Sequence, residues 1–359
     1  MYKQPGQEEF LFYTLYTGAA MLSLIACCYL LFRRANAIAP DITPPARLRR
    51  WTAVFFAAMT LSHIWYMPGV FLTSDDDIIL HDLLGGLLDS MTVIPMSIII
   101  MFCMLQDRRR PLWPAWVMVA PLAVGIAICI AKLSYDPLPM VLGYLLLLGI
   151  GLMIYMVRTI KQYGRWLRDN YADLEHKEVW QSFVVLAIIL LGTGIYTLGF
   201  EWPAYDYVVQ VNNIVLVCYL LWRVETLSDL SFSQTNRDRS TLDALPAKNI
   251  GTLLKQHCEE PQLYLQHDLT LSQLTKAIGT NRTYLGRYFS SRGITYNAYI
   301  NELRINHFVS LYREAVADKR PITAQQLAYE SGYRSYSTFR NVFKHVMGQS
   351  VSTWMKDQH

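Results

Sequence analysis

Apolar residues come in long runs through the first two thirds of this chain and in short periodic stripes through the last third. Seven runs stand out, at residues 10–32, 51–72, 83–105, 115–133, 139–157, 183–200 and 207–222. Most reach or approach the ~20 residues that cross ~30 Å of hydrocarbon, so each predicts a membrane-spanning helix. The last run is the shortest and carries Gln210, Asn212 and Asn213, so seven spans is the best reading and six the alternative. Past residue 248 the pattern changes to amphipathic stripes of helical period, separated by Gly-containing turns.

The residues between the runs set an orientation. Loop 33–50 holds Arg33, Arg34, Arg47, Arg49 and Arg50; loop 106–114 holds Arg108, Arg109 and Arg110; loop 158–182 holds Arg158, Lys161, Arg165, Arg168 and Lys177. The alternate loops hold Asp75, Asp76, Asp77, Asp82, Asp136, Glu201 and Asp206 and no Lys or Arg, with Lys132 at a span end able to snorkel. Basic loops stay cytoplasmic, which puts the N-terminus outside. An odd number of spans then puts the C-terminal part in the cytoplasm and favours seven over six. Trp51, Trp113, Trp116, Trp202 and Trp222 sit at span ends, as interfacial belts require. The flank Met1–Phe10 has one Lys, two Glu and no cleavage site after the run, so the first run reads as a retained helix and not a signal peptide.

Composition agrees: 53% of the residues are apolar, 17% are charged and the mean hydropathy is +0.19. Five of the six cysteines (Cys27, Cys28, Cys103, Cys129, Cys218) fall inside the runs and Cys258 lies beyond them, without metal-ligand spacing; they read as apolar filler. Three domains follow: a membrane part over 1–222, a helical extension and linker over 223–247, and a soluble part over 248–359. Val224, Leu227 and Leu230 have helical spacing in the extension and could pair a second copy as a homodimer. Ser231–Pro246 is polar and, extended, could reach about 50 Å. Loop 158–182 mixes signs and reads as an interfacial helix, with a contact to the soluble part as the second reading.

The soluble part repeats one grammar. Thr270-Leu271-Ser272-Gln273 has the form of a capping box, Leu271, Leu274 and Ile278 make a buried stripe, Gly279 makes the turn, and Asn281 caps a second helix. In that second helix Tyr284, Leu285, Tyr288 and Phe289 share one face, while Arg282, Thr283, Gly286 and Arg287 point away from it. About fifty residues later Thr323-Ala324-Gln325-Gln326 is a second capping-box sequence, Leu327 and Ala328 face inward, Gly332 turns the chain and Ser335 caps a helix with core Phe339, Val342 and Phe343. Ser337, Thr338, Arg340, Asn341 and Lys344 face outward there. Between the units, Tyr296–Glu314 reads as one long helix. Residues 248–359 hold 14 Lys and Arg against 8 Asp and Glu, a net +6 that suits phosphate contact.

Three stretches carry a resemblance: LTLSQLTKAIGTNRTYLGRYF, YNAYINELRINH and ITAQQLAYESGYRSYSTFRNVFKHVMGQS. The C-terminal ~100 residues resemble the DNA-binding domain of AraC-type (AraC/XylS family) transcription regulators. The resemblance implies a seven-helix domain whose two recognition helices enter successive major grooves, one turn of ~34 Å apart. By position it implies base-facing places for Thr283, Gly286 and Arg287 and for Ser337, Thr338 and Asn341, and phosphate contacts for Arg340 and Lys344. Gly286 offers no side chain where the family often has a polar one, so the first helix would read few bases. Val351 stands where the family has Pro and Tyr333 where it has Phe, both structural positions. Most of the chain lies outside the resemblance, which is silent on what is sensed.

No catalytic set, phosphate-cradling loop, cofactor motif or metal-ligand cluster is visible, and His176 is the only candidate for a phosphorylated histidine. Polar groups inside spans are the candidates for sensing. His63 and Asp89 could form a polar site opening outward; Asn212 and Asn213 read better as interhelical hydrogen bonding. Pro68, Pro95 and Pro121 are tolerable kinks, and Gly85-Gly86 and Gly149-x-Gly151 suit close packing. The expected fold is all-α: a polytopic bundle of about seven transmembrane helices, then a cytoplasmic seven-helix domain with two helix-turn-helix units. The expected function is a one-component regulator in a bacterial inner membrane. Its partners would be promoter DNA, the lipid bilayer, an unknown signal ligand and the transcription machinery. The rivals are a membrane enzyme or transporter with a regulatory DNA-binding tail, and a plain tether that senses nothing.

Overall fold

The computed structural model of this chain describes residues 7–33, 36–196, 205–230, 250–321 and 323–358. Among them the fold is all-helical, with one isolated antiparallel bridge. The chain divides into two compact units: Met1–Lys161 with Val179–Leu230, and Gln162–Glu178 with Ser231–His359. The polar linker Ser231–Pro246, with Arg34, Glu201 and Trp202, lies outside the described residues.

The first unit is built from α1 (Gln7–Phe32), α2 (Ala46–Tyr66), α3 (Asp75–Met91), α4 (Val93–Met104), α5 (Trp113–Lys132), α6 (Leu138–Arg168, whose last turns belong to the second unit), α7 (Trp180–Tyr196) and α8 (Tyr205–Thr226). Among the described residues, five stretches are long and apolar enough to cross a membrane: Phe10–Phe32, Asp75–Met104, Trp113–Lys132, Leu138–Arg168 and Tyr207–Thr226. The expected spans at 51–72 and 183–200 are not among the five. Arg47, Arg49 and Arg50 open α2, which gives way to a 3-10 turn over Met67–Phe71. The described part of α7 has 17 residues, and its continuation lies outside the described residues.

The third expected span falls within the Asp75–Met104 stretch and carries one interruption, for a reason written in the sequence. Pro95 has no N–H and its ring collides with the carbonyl four residues back, and the helix axis breaks at Thr92 (φ −121°, ψ −71°) between α3 and α4. Asp75, Asp76 and Asp77 occupy the first turn of α3, where the helix dipole favours negative charge. Gly85 backs onto the Tyr66 ring, which a Cβ would strike, whereas Gly149 and Gly151 face open space. The expectation that both pairs serve close packing therefore holds only for the first. On α6, Leu146, Leu147, Ile150, Met153 and Ile154 are all exposed, a continuous apolar face that water would not tolerate.

Buried polar groups tie one end of this unit together. Glu225, only 2% exposed, accepts hydrogen bonds from Tyr29 Oη and from the backbone N–H groups of Ala37 and Ile38. Arg49 Nε donates to Leu30 O at 2.9 Å, and Arg47 donates to Arg110 O at 2.7 Å. Gln106 bonds Ser228 O and Leu230 N. Loops 33–50 and 106–114 and the end of α8 thus meet. The helical extension expected over Arg223–Leu230 stops at Thr226, and Val224, Leu227 and Leu230 are buried in the chain itself. Those three residues cannot serve as the homodimer stripe anticipated from their spacing.

Candidate nucleic-acid interface

The second unit contains α9 (Ile250–Leu254, continued as one π turn), α10 (Leu271–Ala277), α11 (Arg282–Ser291), α12 (Tyr296–Ala317), α13 (Ala324–Glu330), α14 (Tyr336–Met347) and α15 (Val351–Asp357). The first helix pair forms as its caps dictate. Thr270 Oγ1 accepts from Gln273 N at 3.2 Å while Gln273 Oε1 accepts from Thr270 N at 2.8 Å. Gly279 takes φ +68° in the turn, and Asn281 Oδ1 accepts from Tyr284 N to start α11. In the second pair Thr323 caps α13, but Gln326 reaches forward to Glu330 and not back, so this capping box is half formed. Gly332 takes φ +86° with the Leu265 backbone 2.8 Å from where a Cβ would sit, and Ser335 caps α14.

Each pair has its own core. Leu271, Leu274, Ile278, Leu285 and Phe289 close the first with Ile300 of α12; Leu327, Ala328, Phe339 and Phe343 close the second with Ile305 and Phe308. The 22 residues of α12 run through both, ~33 Å at 1.5 Å per residue. Arg304 locks the joint. It is 1% exposed, donates from Nε to Tyr264 O at 2.8 Å and from Nη2 to Gln266 O at 2.6 Å, and lies over the Tyr333 ring. Burial lowers its pKa, and Tyr333, Tyr296, Asp173 and Asp268 oppose that shift. No cap or recognition motif includes Arg304; its signal in the sequence is a lone Arg on the apolar side of a long helix. Cys258 is fully buried in the first core, which pushes its thiol up to about 12 and fits its expected role as filler.

The candidate DNA contacts divide between two helices. On α11, Thr283 and Arg287 are exposed and Arg282 and Gly286 half-buried; on α14, Ser337, Arg340, Asn341 and Lys344 are exposed and Thr338 is half-buried. None of the nine belongs to the hydrophobic clusters that fill the two cores. No Cβ clash surrounds Gly286, so the place it leaves is open.

The loop between α6 and α7 joins this unit. Residues 162–178 do not form a separate interfacial helix: α6 runs to Arg168, and the chain then turns onto the helix-turn-helix units. Ala172 N donates to Leu269 O at 3.2 Å and Leu271 N to Asn170 O at 2.9 Å, framing an antiparallel bridge between Tyr171 and Thr270. Asn297 Nδ2, in the first turn of α12, donates to Tyr171 O and to Ala172 O at 2.6 Å, and Ala172 is buried in the first core. Lys177 pairs with Asp268 at 3.5 Å. Thr338 Oγ1 donates to Glu175 Oε2 at 3.0 Å. Burial raises the pKa of Asp169, while Arg168, Arg165 and Arg282 pull it down. Acidic residues scattered through an otherwise basic loop were the sequence signal for this docking.

The candidate sensor residues fall in the first unit. His63 is buried, with Nδ1 2.8 Å from Met59 O, Nε2 3.1 Å from Gln210 Oε1 of α8, and the Tyr16 ring 4.7 Å away. Asp89 faces Ser62, Tyr66 and Trp65, with His63 close enough to act on its charge. The structure thus brings His63 and Asp89 into one polar cluster. Asn212 donates to Ile189 O of α7 at 3.1 Å, the interhelical bond expected of it.

Residues 274–357 match the family model described as a helix-turn-helix domain. The C-terminal part is an AraC-type helix-turn-helix domain. Similar proteins include the TCP pilus virulence regulatory protein of Vibrio cholerae, 34% identical over 76 residues, which are 21% of this chain and 26% of the relative. An uncharacterized HTH-type transcriptional regulator of Staphylococcus aureus is 26% identical over 109 residues, 29% of this chain and 14% of the relative. The chain thus spans only about a quarter or less of these relatives, which are named as regulators. No solved structure matches.

Proposed function

We propose that this chain is a membrane-bound, sequence-specific DNA-binding transcription regulator: a one-component sensor of the bacterial inner membrane. The observation that carries this reading is one chain holding two capped helix pairs on a single connecting helix together with five helices apolar enough to cross a membrane. Residues 1–222 are the membrane part with its N-terminus outside, 223–247 the extension and linker, and 248–359 the cytoplasmic DNA reader. The reading assigns base contact to Thr283, Gly286, Arg287, Ser337, Thr338 and Asn341, phosphate contact to Arg340 and Lys344, and a supporting place to Arg282 at the start of α11. A net charge of +6 over residues 248–359 supplies the attraction to DNA. The exposed apolar face of α6 supports membrane insertion.

The cluster of Tyr16, His63, Asp89 and Gln210 is the part of the membrane unit on which an outside signal would act, since polar groups are expensive in hydrocarbon. Purified full-length protein in lipid nanodiscs, offered a pool of duplexes, tests the reading. It should enrich defined sequences with two half-sites about one helical turn apart; recovery of the pool unchanged would contradict it.

A further inference from the structure

The loop between α6 and α7 holds on to the parts of the helix-turn-helix units that the proposed function turns toward DNA. The bridge of Tyr171 to Thr270 seats the segment against the start of α10, in the first helix pair. Glu175 takes the hydroxyl of Thr338, one of the base-facing places on α14. Asp169 lies in the field of Arg282 at the start of α11. Two carboxylates therefore stand beside both recognition helices, where DNA would bring phosphate of the same sign. Main-chain hydrogen bonds at Asn170 and Ala172 and two from Asn297 fix the segment in register.

We infer that residues 162–178 are an autoinhibitory clamp, a segment that sets the carboxylates of Asp169 and Glu175 against the recognition helices and must leave them before the operator is bound. The inference rests on the DNA-binding reading above and names how that site is regulated. Along the chain the clamp is continuous with α6 on one side and α7 on the other. A signal that shifts either helix therefore pulls directly on the clamp, with no need to act through the linker 231–249. Clamp release and operator binding are linked: a ligand that favours the released state raises DNA affinity, and DNA favours release in return.

Two variants of the full chain test this in nanodiscs of phosphatidylethanolamine and phosphatidylglycerol. The probe is a labelled random-sequence duplex of about 30 base pairs, long enough for two successive major grooves. Asp169→Asn with Glu175→Gln removes the two charges and should tighten duplex binding about tenfold, mostly through faster association. The second variant, in a background without the native cysteines, carries Tyr171→Cys and Thr270→Cys. The flanking hydrogen bonds make this a pair of the closely spaced kind, Cα atoms ~4.5 Å apart, within disulfide reach. Oxidation should abolish duplex binding and reduction restore it, with each single-cysteine variant indifferent to redox state. Equal binding by oxidised and reduced protein, or unchanged affinity in the charge variant, would overturn the clamp. Failure of every form to bind duplex, wild type and charge variant included, would instead sink the DNA-binding reading, and the clamp with it.

Discussion

Arg304 of α12 donates to Tyr264 O at 2.8 Å, so a charged side chain that is almost wholly buried fastens the chain ahead of the first helix pair to the helix joining both. The same guanidinium reaches Gln266 O and stacks on Tyr333, beside the second turn. Arg304 thus touches the chain on both sides of the joint, from Tyr264 and Gln266 to Tyr333.

Arg304→Met should therefore cost about 3 kcal/mol, because buried carbonyls lose charge-assisted donors and are left unsatisfied. Arg304→Lys keeps the charge but not the planar fork and should recover only part of the loss. Pulse proteolysis of the second unit in denaturant measures both; equal stability of all three proteins would contradict the assignment.

The turn glycines should not be equivalent. Alanine at Gly279 meets only the strain of φ +68°, about 1 kcal/mol, whereas at Gly332 a Cβ also meets the Leu265 backbone. Gly332→Ala should be clearly the more damaging, and Gly286→Ala, in open space inside α11, should stabilise by about 0.5–1 kcal/mol. Thermal melts of the three variants rank them.

Arg287 is exposed on α11 and can pair bidentately with a guanine edge. Arg287→Ala should cost ~1–3 kcal/mol of operator affinity and relax specificity at one base. Lys344→Ala should weaken all duplexes about equally and reduce the salt dependence. Binding isotherms across a salt series separate the two patterns.

Topology makes its own prediction. A reporter active only in the cytoplasm should work when fused within loop 106–114 or after His359 and fail when fused after Asp77. Activity at Asp77 would reverse the orientation.

Much of the second unit was legible because caps and turns are local chemistry. Thr270 with Gln273, Asn281, Gly279, Gly332 and Ser335 each declare a boundary through a hydrogen bond or a φ that neighbouring residues determine. Gln326 shows the limit: the same motif letters permit a bond backward to the cap or forward to Glu330, and the forward one forms. The first unit was legible in its apolar runs, and the interruption at Thr92 follows from Pro95. What was not legible depends on partners distant in sequence. Val224, Leu227 and Leu230 have the spacing of a dimer stripe, yet they bury within their own chain beside Gln106 and Thr43. Glu175 and Asp169 look like solvated loop charges until Thr338 and Arg282 are seen beside them.

The most direct test of the account is genome-wide mapping of the DNA bound by the full-length protein in its own membrane. The account predicts discrete peaks at promoters, sharing a sequence with two half-sites one helical turn apart, which vanish in a strain whose protein lacks residues 248–359. A uniform background that is the same with and without those residues would contradict it.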